Sequence, residues 1–126
     1  MSYAMGGTVA ISRFGWKHEI RASVIFPLII GKLLSRDYPG LLEFTRSTGA
    51  LILAIRRCRK PVVAALNGLT CGAGAVIATA CDFRVASESA KIAFLFTKVG
   101  LTGADMGAAW LLQRIVGFGK ATELLM

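Results

Sequence analysis

A chain of 126 residues suits one domain with a modest core, yet 55% hydrophobic residues and a mean hydropathy of +0.62 are high for a small protein standing alone. Such a chain either enters a membrane or buries apolar surface against other chains or a further part of itself. A spanning helix needs about 20 consecutive apolar residues, and run length excludes one: residues 24–30 are cut by Pro27 and closed by Gly31-Lys32, while 51–55 lie between Gly49 and Arg56-Arg57.

The formal net charge is +8, with one basic cluster at Arg56, Arg57, Arg59 and Lys60. Such a cluster can meet nucleic acid, a membrane surface or an anionic ligand, or can complement the dipole at a helix C-terminus. No aromatic RNA-binding motif or recognition-helix pattern accompanies it, so no nucleic-acid partner is expected. The three cysteines, Cys58, Cys71 and Cys81, are an odd count without paired spacing. They argue for a reducing compartment, and residues 1–7 show no signal-peptide pattern, so a cytoplasmic location is expected. His18 is the one histidine, and no metal-ligand spacing surrounds it.

In chain order, residues 8–14 are strand formers, Gly15-Trp16-Lys17 can turn, and 19–26 alternate before becoming wholly apolar; a hairpin is expected. Asp37-Tyr38-Pro39 is a helix start, an acidic cap followed by proline in the first turn. Leu41, Phe44, Thr48, Leu51 and Ile55 then recur at helical spacing, with Glu43 and Arg46 placed to pair on the other face. Gly49 inside this helix costs about 1 kcal/mol relative to alanine, which a close-packed neighbour would explain. Pro61 forbids further helix. Residues 62–66 read as a buried strand, Asn67-Gly68 as a turn, 75–80 as a buried helix, and 83–86 and 92–94 as strands. Residues 100–107 read as a glycine-rich loop, and Ala108, Leu111, Leu112 and Ile115 as the apolar face of a helix broken by Gly117 and Gly119. A last helix begins at Lys120 and ends on bare Leu124-Leu125-Met126, as though a longer protein would continue.

The stretch that carries chemistry is Pro61-Val-Val-Ala-Ala-Leu-Asn-Gly-Leu-Thr-Cys-Gly-Ala-Gly-Ala75: a buried strand, a turn, then small residues feeding a helix. A helix start presents unpaired N–H groups and partial positive charge, and small residues let a ligand oxygen come close. Phosphate binding and an oxyanion hole for a thioester enolate both use this arrangement. The dinucleotide fingerprint fails, because Ile77 stands where its third glycine belongs and no acid follows about 20 residues on. A purely structural reading, small residues for close helix–strand packing, stays open on spacing alone.

Pro61-Val62-Val63-Ala64-Ala65, Asn67-Gly68, Gly72-Ala73-Gly74, Ala78 and Cys81-Asp82 resemble the central segment of the enoyl-CoA hydratase/isomerase (crotonase) family. The likeness runs on through Phe83-Arg84-Val85-Ala86, Lys91, Phe94, Gly100-Leu101, Arg114-Ile115-Val116-Gly117 and Ala121. It divides the chain into a divergent segment, 1–35, and a family-like core, 36–126, of a single partial domain. The resemblance implies an α/β fold, a spiral of ββα units, and assembly as a homotrimer or hexamer. It implies a CoA thioester as substrate, with CoA entering as part of the substrate and no separate cofactor or metal. It implies that the Ala73 N–H is an oxyanion-hole donor and that Leu69, Gly72 and Gly74 line the thioester.

The chain also departs from the family. Val76 and Phe96 stand where family hydratases carry their two acids, which excludes two-glutamate hydration through these positions. Asp105 lies in the loop where dienoyl-isomerase-like members carry an acid, and is the candidate base; a solvated aspartate or a helix cap is the bland alternative. The family's other oxyanion donor sits in a Gly-Gly-Asp loop, and the corresponding stretch, 22–28, has no glycine. Losing one donor typically costs about 3–4 kcal/mol of transition-state stabilisation. The expectation is therefore a hydratase/isomerase-like protein of diminished activity, with a non-catalytic binding or assembly module as the alternative.

Overall fold

The structure, a computed structural model, describes the backbone of residues 8–13 and 16–21 and the whole of residues 37–126. Its elements are β1 (Thr8–Arg13), β2 (Trp16–Arg21), α1 (Tyr38–Arg56), β3 (Val63–Leu66), β4 (Leu69–Cys71), α2 (Ala73–Ala80), β5 (Phe83–Ala86), β6 (Lys91–Ala93), α3 (Ala108–Val116) and α4 (Phe118–Leu125). Two 3₁₀ turns, Thr97–Val99 and Asp105–Gly107, punctuate the link from β6 to α3.

β1 and β2 pair antiparallel as the strand-forming pattern predicts, but Arg13 already faces Trp16. Trp16 and Lys17, expected in a turn, therefore belong to the second strand. His18 sits within that strand, opposite Ile11. The rest of the expected apolar run, and with it the stretch 22–28, lies outside the described residues.

The larger sheet has the order β2-β1-β3-β5, with β1 antiparallel to β3 and β3 parallel to β5. A second, two-stranded sheet pairs β4 parallel to β6. Two successive units thus have the same plan: β3-β4-α2 and β5-β6-α3, each strand pairing with its counterpart one unit on. A parallel pairing needs a crossover, and α2 supplies it for both pairs. The sequence reading missed β4. Residues 69–71 read there as loop because a three-residue strand has too few positions to show alternation.

The helix start at Asp37 is as predicted: its side chain accepts a hydrogen bond from the Gly40 N–H at 3.0 Å, and Pro39 follows within the first turn. The buried stripe of α1 differs by one step. Ile52 is buried at 6% exposure, whereas Leu51 stands 42% exposed. One residue is about 100° of rotation on a helix, so the 3.6-residue period carries the inward face from Thr48 to Ile52 rather than to Leu51. No ion pair joins Glu43 to Arg46 among the described residues.

α2 is the centre of the core. Seven consecutive residues, Gly74 to Ala80, are buried on every side, which a short helix of small side chains tolerates. Around it pack Val62 just before β3, Ala64 and Leu66 from β3, Ile52 from α1, Phe94 and Phe96 beyond β6, and Ala108, Leu111 and Leu112 from α3. Ile115, predicted to complete the α3 face, is 47% exposed instead. Gly117 ends α3 with φ +80°, a left-handed turn that favours glycine. Gly119 breaks nothing: α4 begins at Phe118, two residues before the predicted Lys120, and runs through it.

Gly103 lies against the end of α4, where a Cβ would run into the Leu125 carbonyl oxygen. Backbone on one side and a packed helix on the other leave little room to yield. Gly103→Ala is expected to lower stability by about 1–3 kcal/mol, read as a lower midpoint in chemical denaturation. A midpoint equal to wild type would mean that α4 moves freely on the 102–104 segment.

Candidate functional site

β4 delivers the chain into α2 with no intervening loop. Gly72 makes the junction at φ +53°, ψ −122°, a conformation open to glycine and strained for residues with a Cβ. Its own N–H is spent on the Ala93 carbonyl of β6 at 3.0 Å, and its carbonyl accepts the Val76 N–H at 3.2 Å, the first bond of the helix. Gly72 is thus held through both its N–H and its carbonyl. The next amide, that of Ala73, is the first of α2 and has no hydrogen-bond partner among the described residues. Ala73 is half-buried, flanked by buried Gly72 and Gly74. Leu69 opens β4 with its side chain 51% exposed and shares a face of the strand with Cys71, opposite the fully buried Thr70. Among the described residues, the Ala73 amide thus lies unpaired, between Gly72 and Gly74, at the positive end of a helix dipole.

The other end of α2 is tied down by cations. The Arg84 guanidinium donates to the carbonyls of Ala78, Thr79 and Cys81, at 3.2, 3.3 and 2.7 Å, satisfying acceptors that the helix leaves open. Arg56, in the last turn of α1, also reaches to the Ala80 carbonyl at 3.3 Å and lies 3.6 Å from Asp82. The Asp82 carboxylate accepts the Val62 N–H at 2.9 Å, so the Cys81-Asp82 pair of the motif clamps α2 to the start of β3.

Val76 and Phe96, at the positions of the family's acids, are buried at 0% and 4% exposure. Both are core residues, and neither position offers a proton-transfer group.

Asp105 opens the second 3₁₀ turn, which packs against both α1 and α2. It does not cap α3: Gly107 holds the cap position, without a side-chain bond. Its carboxylate makes no hydrogen bond or ion pair among the described residues. Met106 beside it has φ +53°, rare for a residue with a side chain and costing roughly 1–2 kcal/mol. Met106 and Gly107 together turn the chain sharply, and Asp105 lines an open cleft of about 740 Å³ between α1 and the 102–111 segment. Ile52, Leu53, Met106, Trp110 and Leu111 make its walls largely apolar, and Arg46 and Arg56 stand on its α1 side.

The sequence reading missed this cleft. Its signal was Gly49. No neighbour packs on that glycine: nothing lies within 4 Å of where its Cβ would be, and it opens into the cleft. The helical glycine thus marks space, not contact.

The comparisons decide the family. The profile of the enoyl-CoA hydratase/isomerase family matches residues 40–126. This chain belongs to that family. It is 43% identical over 90 residues to the enoyl-CoA hydratase ACTT3 of Alternaria alternata, covering 68% of this chain and 30% of the relative. It is 41% identical over 91 residues to the peroxisomal Delta(3,5)-Delta(2,4)-dienoyl-CoA isomerase of Arabidopsis thaliana, covering 72% and 32%. The fold is that of a crystal structure from Streptomyces coelicolor A3(2), provisionally described as an enoyl-CoA hydratase, with TM-score 0.76 and 60% identity over 78% of this chain and 36% of that one. The fold class expected from the resemblance, a partial crotonase-type α/β fold, is therefore observed. The matched part of this chain spans about a third of its relatives' length. Among the described residues, no helix is long and apolar enough to cross a membrane, and no group of ligating side chains could hold a metal ion.

Two buried groups, one near each end of α2, yield tests. The Thr70 hydroxyl is buried without a hydrogen-bond partner. Thr70→Val keeps the shape and removes the unmet group, so it is expected to raise stability by about 1 kcal/mol in denaturant titration; a loss of that size would reveal a partner. Burial pushes the Cys81 thiol from 9.0 up to about 11; Asp82 adds to the rise, and Arg84 and Arg56 oppose it. The folded state holds this proton more tightly than the unfolded chain. Its contribution is thus complete below pH 9.0 and is lost as pH climbs toward about 11. Stability is expected to fall across that window, and Cys81→Ala to flatten the fall; an unchanged slope would exclude Cys81 as its source.

Proposed function

We propose that this chain binds a CoA thioester and stabilises its enolate, as the hydratase/isomerase-like part of an acyl-CoA enzyme. The observation that carries this reading is the Ala73 N–H, unpaired among the described residues at the start of α2. A thioester oxygen gains negative charge when a neighbouring carbon loses a proton. A donor held rigidly at that oxygen lowers the barrier without reorganising. Gly72 supplies the rigidity, because both its N–H and its carbonyl are bonded. Leu69 and Gly74 flank the amide and would lie along the acyl-CoA.

Asp105 is the candidate base. With Val76 and Phe96 in the core, no acid stands at either hydratase position, which favours isomerisation over hydration. In that reaction the Asp105 carboxylate takes a proton from one carbon of the acyl chain. The electron pair moves toward the thioester oxygen at Ala73, and the same proton returns to another carbon. No water is added, and the atoms balance. The apolar cleft that Asp105 lines would receive the acyl chain.

A homotrimer or hexamer, a cytoplasmic location, a role in fatty-acid metabolism and diminished activity belong to this proposal. The exposed apolar side chains of Phe83 and Val85 on β5 favour an assembled state. The second reading, a non-catalytic binding or assembly module, rests on the same two buried apolar residues at the hydratase positions. It predicts thioester binding without turnover.

Asp105→Asn separates the two readings. It is expected to cut double-bond isomerisation of enoyl-CoA by about a hundredfold or more while leaving thermal protection by the thioester intact. Undiminished turnover would remove Asp105 from the mechanism. Absence of turnover in wild type, with protection present, would select the binding module.

A further inference from the structure

We infer that Trp110 is a specificity-determining residue: it forms the end wall of the acyl cleft and sets the length of chain admitted. This rests on the cleft's proposed role as the acyl site. A second cavity, of about 560 Å³, adjoins the first. The two have three lining residues in common, Thr102, Ala104 and Trp110. Of these, only Trp110 carries a side chain large enough to be a partition.

The first cavity is the one Asp105 lines. The second continues the apolar path beyond Trp110, along Ala109, Phe118, Ala121 and Leu125. The indole is held in place. The Arg114 guanidinium stacks 3.7 Å from the ring centroid and donates to the Trp110 carbonyl at 2.7 Å. Such a cation–π contact fixes the ring plane as well as its position. Arg114 is on this account a positioning residue. The side chain of Trp110 is 54% exposed, so it is not part of the packed core and can be shortened without emptying it.

Removing the indole joins the two cavities into one apolar channel. Each methylene that finds a new wall gains roughly fourfold in affinity. The gain falls on long chains alone, because a short one never reaches the partition.

The test measures dissociation constants of butyryl-CoA and decanoyl-CoA, saturated and unreactive, by calorimetry on wild type, Trp110→Ala and Arg114→Gln. Trp110→Ala is expected to shift the ratio toward decanoyl-CoA by about tenfold or more, with butyryl-CoA affected by less than about twofold. Arg114→Gln is expected to shift the ratio in the same direction by less, because the ring stays but loses its anchor. Trp110→Phe keeps a partition and should retain a ratio near wild type. An unchanged ratio in Trp110→Ala, with wild type binding both thioesters, overturns the wall and leaves the proposed function standing. Failure of wild type to bind either thioester overturns both.

Discussion

One residue in a conformation that favours glycine couples the sheet to the helix. With φ at +53°, Gly72 turns the chain from β4 straight into α2, and both its main-chain polar groups are bonded: its N–H to the Ala93 carbonyl, its carbonyl to the Val76 N–H. A residue with a Cβ would be strained there, and relief would shift one or both bonds. The consequence is local. With its predecessor immobilised, the Ala73 amide, the first of α2, has no acceptor among the described residues. Its direction is set by backbone geometry rather than by a side chain, so alanine serves as well as glycine.

The far end of α2 matters as much. An eight-residue helix has little stability of its own. Burial of Gly74 to Ala80 holds its sides, while Arg84 satisfies three carbonyls at its C-terminus and Asp82 fastens the exit to β3. The exposed Arg56–Asp82 pair adds little by itself, as surface ion pairs generally do. The hydrogen bonds to main chain are the substantive part, because they meet acceptors that the helix end would otherwise leave open.

Asp105 and Trp110 come from one short segment that bends back between α1 and α2, and Met106 in a left-handed conformation makes the bend. Strain at such a place persists only where surrounding packing imposes it. Here the packing is the contact of the turn with both helices. Shape, a carboxylate without a partner among the described residues and an apolar wall thus arise from a single backbone feature.

Much of this was legible in the residues. Asp37-Tyr38-Pro39 announced α1, Pro61 its limit, and the small-residue run announced α2, because caps, breakers and periodicity act within a few residues of one another. The motif from Pro61 to Asp82 named the family, and Val76 and Phe96 removed two-acid hydration from consideration. What lay beyond the sequence was decided by distance through space. β4 is too short to show alternation and exists because β6 lies beside it. Leu51 was read on the inward face of α1, and the core took Ile52 instead. Gly49 was read as a contact and proved to be an opening, and Arg56, in the last turn of α1, also caps the end of α2, 24 residues on. Local rules fix what a segment becomes. Only the packed chain fixes what it faces, because that depends on residues the segment meets after the backbone has turned.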